Sequence, residues 1–129
     1  MWKPREDSFA GEMKPDDKTM GMLCHLLGIF LGILGPLIVW LTKRDSSPYV
    51  NVHGREAINF HLSFIIYIVA LGLISAVLAM IPFIGCVVIL FPVLIGLMLL
   101  IAVVLLIVGA VKANQGKVFR YPVTIRMIR

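Results

Sequence analysis

Four polar side chains recur at helical spacing inside an otherwise apolar stretch: Glu56, Asn59, Ser63 and Tyr67. At about 100° per residue they fall within about 80° of one another, so a helix carries them as one narrow stripe. Polar groups are costly in hydrocarbon unless they find partners. The stripe therefore has two uses: hydrogen bonds to a neighbouring helix that fix its register, or the wall of a cytoplasm-facing groove. Glu56 is the only acidic residue after Asp45. One carboxylate is thin material for acid–base catalysis. The sequence shows no nucleophile–base pair, no phosphate-cradling glycine loop and no paired carboxylates. The expectation is a protein that is not an enzyme and carries no cofactor.

The three histidines do not make a metal site by spacing. His53 and His61 lie two turns apart and point about 80° apart on one helix, and His25 falls on an earlier element. His25 reads as a polar packing residue near the membrane interface, at the face opposite His53 if the two helices are antiparallel. Cys24 and Cys86 are too few for a disulfide framework and form no CxxC pattern. In a three-span topology both stand near helix starts on one face, so they are either neighbours or two unrelated small hydrophobes. Gly21, Gly28, Gly32 and Gly35 form a stripe of small residues, with a GxxxG at Gly28 and Gly32. Such a stripe lets helix backbones approach closely, within the chain or between copies.

The elements that position these residues follow from charge. Residues 57–111 and 19–42 hold no Asp, Glu, Lys or Arg, and the chain is 60% hydrophobic and 15% charged. Soluble domains carry roughly 25% charged residues. A single helix through the longer run would measure about 80 Å at 1.5 Å per residue, far beyond a bilayer core of about 30 Å. It must fold back, and Ile81-Pro82-Phe83-Ile84-Gly85 is the break. The predicted fold is an all-α membrane protein with three transmembrane helices, at about 18–41, 56–80 and 87–113, and a short apolar hairpin between the second and third. Pro36 is a candidate kink in the first helix and Pro92 in the third. Ser47-Pro48 is a candidate helix start and Asn114-Gln115-Gly116 a helix stop. Residues 1–17 read as a flexible tail, 18–116 as the transmembrane domain and 117–129 as a basic interfacial tail.

Sidedness follows from the basic residues. Three spans put Lys43, Arg44, Arg55, Lys112, Lys117, Arg120, Arg126 and Arg129 on one face and Lys3, Arg5, Lys14 and Lys18 on the other. The positive-inside bias then places the C-terminus in the cytoplasm and the N-terminus outside, in the cell's inner membrane. Lys117, Arg120, Arg126 and Arg129, beside Phe119 and Tyr121, are candidate contacts for anionic lipid headgroups. The net charge of +5 is explained by these flanks and does not call for nucleic acid.

Two blocks carry a resemblance. One is His25-Leu26, then Ser47-Pro48-Tyr49-Val50 with His53-Gly54-Arg55-Glu56-Ala57-Ile58-Asn59-Phe60. The other is Ala113-Asn114-Gln115-Gly116 with Arg120-Tyr121-Pro122 and Ile125-Arg126. Together, over about residues 18–128, the chain resembles a bacterial membrane-protein family of unknown function, Tic-twenty-like in annotation, that includes the magnetosome proteins MamF and MmsF. The resemblance implies a three-helix inner-membrane protein and supplies no activity. The functional expectation is a non-enzymatic component that assembles with itself or with a membrane complex. The rival is a small channel or translocation component formed by oligomers, with the Glu56–Tyr67 stripe along its path.

Overall fold

The computed structural model describes residues 9, 11 and 13–129. The described residues form four α-helices and no strand: α1 (Pro15–Leu31), α2 (Leu34–Lys43), α3 (Pro48–Ala79) and α4 (Leu90–Asn114), with a 3-10 turn at Gly85–Ile89 leading into α4. Most of the expected N-terminal tail lies outside the described residues.

Among the described residues two helices, not three, are long and apolar enough to cross a membrane. Their most apolar windows have mean hydropathy 2.6 in α3 and 3.2 in the 3-10 turn with α4, and only 6% of each window is buried within the chain. The core helix of a soluble protein would be mostly covered. Here Ile65, Val69, Leu73, Val77, Leu94, Leu97 and Leu100 all face outward. Lipid is the solvent that suits such a surface. The turn between the helices falls where proline and glycine predict it. Phe83 takes a left-handed backbone there and is fully exposed.

The first expected span is instead a helical hairpin. The apolar count over 19–42 is sufficient for a crossing, but Gly32 breaks the helix with φ 58 and ψ −140, a conformation open to glycine and strained for other residues. Gly35 then lets α2 fold back directly onto α1. A methyl group there would sit 2.5 Å from the carbonyl carbon of Leu27. Pro36 does not kink a long helix. It stands in the first turn of α2, where its missing N–H leaves no helical bond unmade. Pro92 occupies the same place in α4. Hydropathy cannot separate a hairpin from a span of equal length, because both need an apolar sequence. Phe30, Leu31 and Leu34 at the hairpin tip are exposed, which fits a re-entrant element dipping partway into the bilayer.

The hairpin sets the shape. α1 packs against both α3 and α4, and Phe60 and Phe64 of α3 share a cluster with Ala102 and Leu106 of α4. Trp40 of α2 closes over Gly54, whose place a methyl group could not take, and donates from Nε1 to Asn51 Oδ1 at 2.8 Å. Ser47 caps α3, its hydroxyl accepting the Val50 N–H at 3.2 Å. Gly116, at φ 77, ends α4 in the left-handed position expected of it.

The first described residues and the strap meet at one end of the molecule. Phe9 lies edge-on to Tyr49 at the start of α3, and Met13 and Val118 pack on the same cluster. The three-span basis for placing the termini on opposite sides falls with the third span. So does the suggested nearness of the cysteines. Cys24 is buried with Val39, Val50 and Ala57, whereas Cys86 is exposed in the 3-10 turn at the far end of α3. Both are free thiols.

Candidate functional site

The four-residue stripe does form one face of α3, and its partner is not a helix. After α4 the chain turns back through Pro122 and Val123 and runs as an extended strap along α3. Asn59 Oδ1 accepts the backbone N–H of Met127 at 3.1 Å and of Ile128 at 2.8 Å, while its Nδ2 donates to the Ile128 carbonyl at 2.8 Å. One turn on, Ser63 Oγ accepts the Ile125 N–H at 2.8 Å and donates to the Asn59 carbonyl at 2.7 Å. One turn further, Tyr67 OH donates to the Val123 carbonyl at 2.5 Å. Non-helical backbone near membrane depth is tolerated only where protein satisfies its polar groups. The stripe does this for the strap, side chain by side chain.

Glu56 fastens the outer end. Its Oε1 lies 3.1 Å from Arg126 Nε and 3.7 Å from Arg120 Nε, with the carboxylate side chain only 10% exposed. Its Oε2 is buried and has no hydrogen-bond partner. Of the four basic residues expected at lipid headgroups, Arg120 and Arg126 thus converge on Glu56. Arg129 is exposed on the strap, and Lys117 is exposed at the end of α4.

Beneath the strap lies a second polar system that spacing did not reveal. His25 and His53 are fully buried, and their rings meet with Nε2 of His25 at 2.8 Å from Nδ1 of His53. His25 Nδ1 is 2.5 Å from Tyr121 OH. One consistent assignment has Tyr121 donating to His25 and His25 donating to His53. His53 Nε2 then carries a proton towards the Lys117 carbonyl, short of hydrogen-bond geometry. Burial, and then the Glu56 carboxylate and Cys24, push the Tyr121 phenol well above its ordinary range, which keeps it a neutral donor. Its ring stacks on Phe60 with centroids 4.2 Å apart. Gly109 makes room for the junction. A methyl group there would come within 2.8 Å of Tyr121 OH and 2.9 Å of His25 Nδ1.

His25 is therefore not at the opposite membrane face from His53. The hairpin brings it beside His53, because α1 returns through α2 before α3 begins. His61 faces away from the strap and spans to α1 instead, with Nε2 3.1 Å from the Gly28 carbonyl and Nδ1 2.8 Å from the Ala57 carbonyl. Among the described residues no three His, Cys, Asp or Glu side chains are grouped to hold a metal ion.

The glycine stripe divides by role. Gly21 sits under Tyr49 and His53, and Gly28 under His61, all within one chain. Gly32 lies past the end of α1 and is the turn itself, so the GxxxG is not a continuous helical face. The signal that could have located the strap is the tail's partial alternation from Val123 onward, opposite a stripe rich in amide and hydroxyl groups.

This pairing of an α3 stripe with the returning tail joins the two blocks of sequence that stood out together, and one family pattern spans both. The match covers residues 16–128 and is to the MamF/MmsF pattern, described as the magnetosome magnetite crystal formation protein family. The chain belongs to this family. No curated protein and no solved structure gives a significant match. The MamF/MmsF match takes in all four helices and nearly the whole strap. It supports the magnetosome side of the resemblance and gives nothing for the Tic-twenty-like one.

Proposed function

We propose that the chain is a non-enzymatic membrane component that supports magnetite crystal formation by contact, assembling with itself or with other membrane proteins through its polar cap. The observation that carries this reading is the occupation of the α3 stripe. The groups that could have lined a path or formed a groove are bonded to the chain's own tail. What remains outward is a compact cap with a basic rim on one membrane face and an apolar two-helix hairpin beyond it. The family supplies the link to magnetite and to a membrane. In this reading the cap faces the cytoplasm. The described Lys and Arg residues all lie at the cap end, and no charged residue lies in the turn between α3 and α4.

Site-directed photo-crosslinking in magnetite-forming cells tests the proposal. A photoreactive residue at Lys117, on the cap, should give discrete protein adducts. The same residue at Phe83, in the far turn, should give lipid adducts alone. Lipid adducts alone from both positions would remove the assembly role.

A further inference from the structure

The buried network beneath the strap is full of protons. It runs from the Tyr121 hydroxyl through His25 to His53 and ends facing the Lys117 carbonyl. Four groups in a row leave three gaps, and each gap takes one proton. Tyr121 fills the first, His25 the second and His53 the third. The count holds only while both imidazoles are neutral, because a neutral ring offers one donor and one acceptor. One proton more sets two donors facing each other between the rings, or turns the phenol into an acceptor whose own O–H must point elsewhere. Among the described residues Tyr121 has no second hydrogen-bond partner. Gly109 closes on the phenol oxygen, where a methyl group would come within 2.8 Å. The charge itself is also costly. Both rings are fully buried, and burial, then His53 and His61 nearby, hold the His25 imidazole well below its ordinary range.

The same network joins elements that otherwise meet only through apolar packing. His25 stands on α1, His53 on α3, and Tyr121 at the root of the strap, two residues before the Val123 carbonyl that Tyr67 holds. Few ionisable groups surround it. From α1 comes Cys24, and from α3 come Tyr49, Glu56 and His61. The Tyr49 hydroxyl donates to the Ala113 carbonyl at 2.6 Å. Glu56 is already engaged by Arg120 and Arg126. α4 meets the network with Gly109, and its one ionisable residue, Lys112, bonds to neither ring; nor does Lys43 of α2.

We propose that Tyr121, His25 and His53 form an acid-sensitive latch: one added proton breaks the network, frees the strap from α3 and uncovers the polar stripe of Asn59, Ser63 and Tyr67. In the open form the imidazoles titrate near their free value of about 6.5. The closed form excludes the proton, so the latch holds fully above that pH and weakens as pH falls below it. Each histidine that charges on opening raises the open-to-closed ratio by up to about tenfold per pH unit. The latch does not rest on the assembly role, since it acts within one chain.

The test follows amide exchange at Ile125, which Ser63 holds, in the full chain in neutral detergent between pH 7.5 and 5. Rates are expressed as protection factors, which remove the intrinsic pH dependence of exchange. Protection should be level above about pH 7 and fall at least about tenfold by pH 5. His25→Gln with His53→Gln should flatten the profile, and Glu56→Gln should leave the fall in place. Nitrogen-15 shifts of the histidine rings in the unsubstituted chain decide the matter even if the double variant fails to fold. His25 and His53 should pass from the neutral to the charged pattern over the pH interval in which Ile125 loses protection. Unchanged protection down to pH 5, a fall that survives in a folded double variant or vanishes with Glu56→Gln, or rings that charge while Ile125 stays protected would overturn the proposal.

Discussion

Asn59→Leu isolates what the stripe does for the strap. The leucine is close in size, so the main loss is chemical. Two backbone N–H groups, of Met127 and Ile128, lose their acceptor, and the Ile128 carbonyl loses its donor. Side-chain hydrogen bonds in membrane proteins average about 0.6 kcal/mol, with larger cases near 1.7. Three of them total about 2 kcal/mol at the average. The strap has an escape that a buried helix lacks, because its end can lift towards water. The cost therefore appears as local opening rather than global unfolding. At about 1.4 kcal/mol per factor of ten, amide exchange of Met127 and Ile128 should accelerate by about thirtyfold. Exchange within α4 should stay slow. His61→Leu is the control, since His61 reaches the Gly28 and Ala57 carbonyls and touches no part of the strap. It should loosen α1 and leave the Met127 and Ile128 amides protected. Unchanged exchange at those two amides in the Asn59 variant, or equal acceleration in the His61 variant, would refute the claim that the stripe holds the tail.

Gly35→Ala should lower the thermal midpoint in detergent, by an overpacking cost of about 1–3 kcal/mol, because the added methyl meets the Leu27 backbone at 2.5 Å. Gly72→Ala, with open space around it, should not lower it. Tyr121→Phe keeps the stack on Phe60 and deletes the bond to His25, so it should destabilise the cap by about 1–3 kcal/mol. An unchanged midpoint would show that the bond contributes nothing. The raised phenol of Tyr121 stabilises the fold fully below the unfolded tyrosine value of about 10, and this contribution falls as pH rises towards the higher folded value. Alkaline titration should therefore show Tyr121 ionising only with unfolding, so that Tyr121→Phe removes one phenol from the late phase. For topology, Gly11→Cys and Lys117→Cys should react with an impermeant maleimide from the same side of the membrane, and native Cys86 from the other. Labelling of the first two from opposite sides would restore an odd number of crossings.

Much of the scaffold was legible in the sequence because lipid imposes simple rules. The charge-free run of 57–111 had to fold back, and Pro82 and Gly85 marked where. Ser47-Pro48 and Gly116 marked helix ends by backbone chemistry that depends on few neighbours. The stripe was legible as one face because helical periodicity is local. Its partner was not, since nothing local ties Asn59 to Ile128. The hairpin at Gly32 was missed because hydropathy rewards apolar length and is blind to a reversal. That single reversal also overturned the inferred positions of His25 and the cysteines. An error of topology passes to every residue placed by it.

With α3 and α4 as the crossings and the α1–α2 hairpin at the cap end, as the proposed function has it, the protein would be unequal across the bilayer. In one leaflet it would present α1, α2, α3, α4 and the strap. In the other it would present only α3 and α4. At a helix diameter of about 10 Å, the additional helices displace on the order of 150 Å² more lipid from the first leaflet than from the second. Each inserted copy thus sets the two monolayers to different areas, and a sheet crowded with copies in one orientation would relieve the mismatch by bending with the cap on its convex side.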